Sequence, residues 1–262
     1  MGIAYFNGNW VADDQPQLPL HEKAEIWGAG IFETIALVHH SAPLLSYHFE
    51  RFSKSCQKLN IRFDQNIKHW QLLLLEIAEK NQTDSGKIRI QISIDDNFSI
   101  TLQPFDTNPF HGMEVEAVIF PEPLLLYTQL SGMKSTSRLP YVFAQQYAYQ
   151  HQAQTALLLN NKNEVTESCN GNVFIVEGNT IVTPPLTSGC VDGIFRKLLM
   201  EKCTEFDFKE ESINPQRLLL ADEVFLTNAI KGIHAVATID HKSLFDKKIT
   251  TEIKHAANRM LE

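Results

Sequence analysis

Three segments of the chain carry residues whose types and spacing suit chemistry. In Gly132-Met133-Lys134-Ser135-Thr136-Ser137-Arg138-Leu139-Pro140, one lysine lies among small residues just ahead of a helix. A lysine that forms a Schiff base needs such a restrained stem, with room above it for a ring. The same run also suits a solvated loop. In Glu164-Val165-Thr166-Glu167-Ser168-Cys169-Asn170-Gly171-Asn172, carboxylates precede small and polar residues and then an apolar run. A carboxylate facing a pyridine nitrogen keeps it protonated and makes the ring an electron sink. Glu164 and Glu167 could equally solvate a turn. In the third segment, Thr183-Pro184-Pro185 leads through Gly189 to Gly193-Ile194-Phe195-Arg196. Here a loop ends at a helix start, where free backbone N–H groups bind phosphate, and where a plain loop-to-helix junction fits as well.

These segments need elements to hold them. The first part of the chain reads as α+β. A hairpin over 3–11 turns at Asn7-Gly8, and a strand over 31–38 is followed by a turn and a second strand at Leu44-Leu45. A helix over 47–59 carries the stripe Phe49, Phe52, Cys56 and Leu59, close to helical period. Another helix covers 66–80, and a hairpin over 87–94 and 98–103 turns at Asp95-Asp96-Asn97. The stretch from Pro104 to Gly112 is rich in Pro, Asp and Asn. It sets a linker at 107–112 between domains 1–106 and 113–262. Beyond it, strands are expected over 115–120, 155–159, 173–176, 180–182, 224–226 and 235–239. Helices are expected over 142–152, from Gly193 to about 205, and over 247–261.

The 262 residues are 44% hydrophobic and 21% charged, enough for one large core or two modest ones. The formal charge of −8 argues against nucleic acid and anionic membrane as bulk partners, but leaves room for a local anion site. No run approaches a membrane span, and MGIAYF lacks the basic and apolar regions of a signal peptide. Four cysteines without a C-x-x-C pair fit a reduced cytoplasm better than a disulfide scaffold or zinc site, and no metal is expected. Gly28-Ala29-Gly30 has Glu33 where a dinucleotide fingerprint places its third glycine, and a strand follows directly. Walker A, G-x-S-x-G and H-E-x-x-H motifs are absent.

Taken together and in order, these pieces resemble the class IV aminotransferases, pyridoxal-phosphate (PLP) enzymes of fold type IV. The matching pieces are Gly28-x-Gly30-x-Phe32-Glu33-Thr34, His48-x-x-Arg51, Lys134, Glu167 with Asn172-Val173-Phe174, Thr183-Pro184-Pro185, Gly193-Ile194 with Arg196, and Thr227-Asn228-Ala229. The resemblance implies a two-domain α+β fold of the D-amino acid aminotransferase-like type. A smaller N-terminal domain and a larger C-terminal domain would hold PLP between them, and the enzyme would be a homodimer acting on a small molecule.

It also implies roles. Lys134 bonds to the cofactor and moves the proton. Glu167 faces the pyridine nitrogen, and Arg51 forks the phosphate. The backbone of Ile194-Phe195 and of Asn228-Ala229-Ile230 completes the phosphate cup, with Asn172 and Gly193 in the same cofactor-binding set. Phe195 stands where the family usually has threonine, so only its amide remains. Phe32 lines the substrate pocket, although an ordinary core aromatic on a strand fits that position equally well.

Within the family, Lys134-Ser135-Thr136-Ser137-Arg138-Leu139, the loop with Cys169, and Asn228-Ala229-Ile230 look like the 4-amino-4-deoxychorismate lyase branch. That branch eliminates pyruvate to give 4-aminobenzoate for folate synthesis. A transaminase of branched-chain or D-amino acids, using a 2-oxo acid, is the alternative. Ile94-Asp95-Asp96 replaces the Arg-Gly-rich run with which many members bind the substrate carboxylate. That leaves Arg138 as the substitute.

Overall fold

The computed structural model describes residues 2–15, 21–105, 109–243 and 246–261. The chain forms two units, Met1–Pro109 with Met133–Arg138, and Phe110–Gly132 with Leu139–Glu262. The sequence reading places everything beyond 112 in one domain, whereas the short lysine segment Met133–Arg138 belongs to the first unit. Residues 107 and 108 of the expected linker lie outside the described residues.

In the first unit the elements run β1 (Ile3–Phe6), β2 (Asn9–Ala12), α1 (Lys23–Trp27), β3 (Gly30–Leu37), α2 (Leu45–Lys58), α3 (Ile67–Lys80), β4 (Gly86–Ser93) and β5 (Phe98–Pro104). The strands form one antiparallel sheet in the order β2-β1-β5-β4-β3. The alternation Ile88, Ile90, Ile92 in β4 and Phe98, Ile100, Leu102 in β5 gives this sheet an apolar face. Phe52 and Cys56 of α2 and Trp70 and Ile77 of α3 cover it. The other face carries the polar members of the same alternation, among them Lys87, Arg89 and Gln91 of β4. Asn66 caps α3 by accepting the His69 N–H at 3.0 Å.

The expected strand at Leu44-Leu45 is instead the entry to α2: Leu45 opens the helix, and the His48 N–H donates to the Leu44 carbonyl. The bridge between Val38 and Ser41 closes the turn at once, leaving β3 no returning neighbour there.

The second unit runs β6 (Val115–Leu125), α4 (Leu139–Gln150), β7 (Thr155–Asn160), β8 (Val165–Ser168), β9 (Asn172–Glu177), β10 (Thr180–Thr183), α5 (Ile194–Lys202), β11 (Asp207–Glu210), α6 (Pro215–Leu220), β12 (Glu223–Asn228), β13 (Gly232–Ile239), β14 (Lys242–Ser243) and α7 (Lys248–Arg259). The sheet order is β11-β10-β9-β12-β13-β6-β7-β8, with β14 on β13. β6 and β7 are parallel and joined through α4, so β7 is buried along its whole length. Separate apolar clusters form around Ile175, Val224 and Ile239, and around Phe120, Ala144 and Leu158. Among the described residues no helix is long and apolar enough to cross a membrane.

Candidate active site

In the first unit, two glycines decide where the lysine goes. Gly28 ends α1 at φ +64°, and a Cβ there would come within 3.0 Å of the Ser137 backbone. A Cβ on Gly30 would stand 2.8 Å from the Ile92 carbonyl and 3.3 Å from Thr136 Oγ1. Without side chains at these positions, the lysine segment lies along β3. Phe32 N–H donates to the Lys134 carbonyl at 2.9 Å, and Thr136 N–H donates to the Gly30 carbonyl at 2.8 Å. The Gly-x-Gly pair thus serves close backbone approach rather than a dinucleotide. It restrains the stem of Lys134, whose Nζ lies 4.6 Å from the centre of the Phe32 ring.

Glu33, on the helix-covered face of β3, is buried. It accepts two bonds from Arg51, from Nε at 2.8 Å and Nη2 at 2.6 Å, and a third from His48 Nδ1 at 2.6 Å. The His48-x-x-Arg51 spacing on α2 places both side chains on one helix face, toward this carboxylate. Burial alone would lift the Glu33 carboxyl, but the Arg51 charge and the His48 bond outweigh it and bring it down to about 2. For His48, burial outweighs the pull of Glu33 and lowers its pKa, so the ring is neutral and its Nδ1 carries the proton that Glu33 accepts. Arg51 is therefore a clamped cation rather than a helix-surface arginine.

Phe32 lies on the opposite face of the sheet, where the β3–β4 register sets it across from Gln91, and Thr34 across from Arg89. The Arg89 guanidinium carbon stands 3.8 Å from the centre of the Phe32 ring. Sequence reading passes over Arg89, because an arginine on an alternating strand looks like an ordinary solvent-facing position. Arg138 lies close enough that its charge, together with burial, lowers the Arg89 pKa.

In the second unit, Glu167 belongs to β8, paired with Leu158 of β7, and is buried rather than solvating a loop. Its Oε1 accepts the Tyr141 hydroxyl at 2.6 Å and the Val191 N–H at 3.1 Å. The Val191 carbonyl in turn accepts Asn172 Nδ2 at 2.9 Å. Asn172 therefore positions the loop that donates to Glu167. Tyr141 escapes sequence reading because its link to Glu167 spans 26 residues and no local pattern marks it. Burial and the Glu167 charge push the Cys190 thiol up to about 12.

Gly193 is the N-cap of α5, and a Cβ there would fall 1.7 Å from Asn172 Oδ1. The Ile194 and Phe195 amides stand in the first turn, where the helix supplies no acceptor. The Phe195 ring is buried near that of Phe110, 6.4 Å between centres, so this residue offers its amide while its side chain serves the core. Arg196 ties the helix to the Thr183-Pro184-Pro185 segment by donating to the Pro184 carbonyl at 3.0 Å.

α5 packs on β12, whose Thr227 pairs with Asn172 of β9. Thr227 Oγ1 is buried and lacks a hydrogen-bond partner among the described residues. Asn228 Oδ1 accepts the amides of Ile230 at 3.0 Å and Lys231 at 2.8 Å. The Ile230 amide is thus engaged by a side chain, unlike those of α5.

Each unit by itself carries groups of the kind a phosphorylated pyridine aldehyde calls for: in the first, a restrained lysine and a clamped arginine; in the second, a buried hydrogen-bonded carboxylate, an open helix start and a buried threonine hydroxyl. Among the described residues no group of three His, Cys, Asp or Glu could hold a metal.

The fold is that of the pyridoxal-phosphate enzymes of fold type IV. A sequence model of the amino-transferase class IV family matches residues 30–239, and the chain belongs to that family. Its PLP dependence follows from membership. The D-alanine aminotransferase of Staphylococcus aureus (strain N315) is 22% identical, over 98% of this chain and 97% of its own. The branched-chain aminotransferase of Thermoproteus uzoniensis superposes with a TM-score of 0.90 at 22% identity, covering 99% of this chain and 95% of that one. A Legionella pneumophila protein proposed to be a 4-amino-4-deoxychorismate lyase superposes at 0.87 with 24% identity, covering 95% and 97%.

Proposed function

We propose that the protein is a 4-amino-4-deoxychorismate lyase, converting its substrate to pyruvate and 4-aminobenzoate. The observation that carries this reading is the polar surrounding of Phe32. Its ring meets Arg89 and Lys134, and the strand opposite presents Gln91. A branched aliphatic side chain would gain little there, whereas a flat ring bearing carboxylates suits an aromatic floor with cations. The run from Lys134 to Leu139 and the small residues around Cys169 support the same choice.

PLP supplies a carbonyl that captures the substrate amine and a ring that takes up the electrons of the neighbouring C–H bond. Lys134 Nζ would remove the proton from substrate C4 and hold it. Glu167, kept in place by Tyr141 and Val191, would face the pyridine nitrogen. Arg51, held by Glu33, would bind the phosphate with the Ile194 and Phe195 amides; Asn228-Ala229-Ile230 would close the cup, chiefly through Ala229. Asn172 and Gly193 would serve by fixing the loop and helix start. As the C3–O bond breaks, the enolpyruvyl group leaves and is protonated to pyruvate, and the remaining ring becomes aromatic.

A transaminase is the second reading, favoured by the full-length similarity to D-alanine aminotransferases. Purified holoprotein is incubated with aminodeoxychorismate, and separately with D-alanine or L-leucine plus 2-oxoglutarate. Pyruvate with 4-aminobenzoate supports the lyase. Glutamate instead supports the transaminase, and a cofactor band without turnover points to a silent binder. A homodimer in a reducing cytoplasm completes the proposal. Leu139, Val142, Phe143 and Tyr149 of α4 are exposed, as are Leu126 and Leu130, apolar side chains that a second copy would cover. All four cysteines are buried thiols.

A further inference from the structure

We propose that Phe110 is a positioning residue for the cofactor phosphate, holding the turn between β12 and β13 against the first turn of α5. The inference rests on the reading that these two segments form the phosphate cup, and it names what sets the spacing between them.

Phe110 is the first residue of the second unit, and it meets both halves of the cup. Asn228 closes the turn from within by accepting the Ile230 and Lys231 amides. The Ile230 carbonyl is held from outside, where the Phe110 N–H donates to it at 2.9 Å. On its other side, the Phe110 ring lies 6.4 Å from that of Phe195, tilted by 32°. Between them stands Gly232, at φ +69°. A Cβ there would come 3.3 Å from the Phe110 Cα and carbonyl oxygen, and 3.5 Å from Phe195 Cζ. The turn, Phe110 and Phe195 thus close-pack around a position that has no side chain.

Phe110 itself has φ +59°, a left-handed backbone that a bulky aromatic rarely adopts. Such a conformation persists where its surroundings overdetermine it. Here the ring is buried, and the residues that follow are fastened too. Lys254 of α7 donates to the Gly112 carbonyl at 2.7 Å, and the Met113 carbonyl lies 3.3 Å from His234 Nδ1. The chain therefore enters the second unit along the start of β13, with little freedom to shift. Backbone amides cannot reach for an anion as a long side chain can, so a cup made of them depends on spacing. Truncating the Phe110 ring leaves a void against Phe195 and lets the turn and the first turn of α5 drift apart.

Titration of the full chain, stripped of cofactor, with PLP and with pyridoxal tests this. Binding is read from the visible band each aldehyde forms on the protein, and stability from urea unfolding. The preference for PLP over pyridoxal isolates the phosphate. Phe110→Ala should lower that preference about tenfold, with pyridoxal binding unchanged. Phe110→Leu, which keeps most of the volume, should lower it about threefold. Phe110→Gly should be more stable than Phe110→Ala, because glycine takes the left-handed backbone without strain, yet should lose the preference equally. Phe208→Ala removes a half-buried ring from β11, at the far edge of the same sheet, and should lose stability but not preference. The proposal is overturned if Phe110→Ala and Phe110→Leu keep the wild-type preference, or if preference simply follows stability across the Gly, Ala and Phe208 variants. Gly193→Ala separates this failure from that of the cup. A lost preference there, with none lost in the Phe110 variants, sinks the role of Phe110 alone; no loss in either sinks the cup with it.

Discussion

Glu33 grips Arg51 through two parallel bonds, Nε to Oε1 at 2.8 Å and Nη2 to Oε2 at 2.6 Å, beneath the sheet face that carries Phe32. A guanidinium held this way keeps one orientation, which the phosphate-binding role proposed for Arg51 requires. The arrangement has a cost, because Glu33 is almost wholly buried and depends on its partners to stay charged.

Acid should therefore attack this cluster first. Folding holds the Glu33 carboxyl at about 2, against an ordinary 4.5. The stability gained is full above about 4.5 and is lost as the pH falls toward 2, on the order of 3 kcal/mol in all. His48 acts in the same direction: its pKa is lowered by burial, so the unfolded chain takes up that proton first below pH 6.5. Urea unfolding between pH 7 and pH 3 should show this loss. Glu33→Gln should cost about 3 kcal/mol at pH 7, since it leaves Arg51 uncompensated, and should flatten the acid limb. An unchanged acid limb in that variant would refute the assignment.

Lys134→Ala should reduce turnover by at least about a thousandfold, because Lys134 is the amine that backbone bonds hold against β3 beside Phe32. The visible absorption band of the lysine-bound cofactor should vanish, and dialysis should remove the cofactor more readily. A variant that keeps both band and activity would show that another residue carries the chemistry.

Tyr141→Phe probes the other unit. It deletes a 2.6 Å bond to a buried carboxylate and changes little else in shape. A charge-assisted bond of this kind is worth about 1.5–3 kcal/mol, so kcat should fall about tenfold or more with a modest loss of stability. The cofactor band should shift, because the Glu167 carboxylate loses the Tyr141 hydroxyl as a donor. If stability falls but kcat and the band do not, Tyr141 serves packing alone.

What could be read beforehand follows from the range of each interaction. The hairpins and α2, α3 and α7 were legible because their periodicity is local, and Phe52, Cys56, Ile88 and Ile90 face the core as their spacing implies. β8 was not, because Thr166, Glu167 and Ser168 look like a solvated loop and are buried only through β7 and the Val191 segment. The short α1, β11, α6 and β14 carry too few residues for a period to show. Among candidate site residues, Lys134, Glu167 and Arg51 stood out by motif. Arg89 and Tyr141 emerge only when strands and helices meet, since their partners are fixed by register and by packing across distant segments.

Gly193 should tolerate no side chain. The nearest atom to an added Cβ is Asn172 Oδ1, and Asn172 cannot turn away without releasing the Val191 carbonyl. Gly193→Ala is expected to cost about 1–3 kcal/mol and to weaken cofactor binding by displacing the first turn of α5. Asn172→Ala alone should cost about 1 kcal/mol through the lost bond. The double variant should be more stable than the sum of the two, since the clash disappears with the amide. Strict additivity in urea unfolding would show that the two groups do not meet.

The four thiols report on the two units separately. Cys56 lies in the first unit, and Cys169, Cys190 and Cys203 in the second. Burial pushes Cys56 and Cys190 up to about 12 and Cys203 up to about 11, so at pH 8 almost none is the reactive thiolate. A chromogenic thiol reagent should label none of them in the folded protein and all four in denaturant. In Glu33→Gln the first unit loses its buried ion pair while the second keeps its contacts. Cys56 should then react faster, by the fold-change in opening, and the other three should not. Equal acceleration of all four would mean that the chain opens as one cooperative body, and that the Glu33 cluster stabilises the whole protein rather than the unit in which it sits.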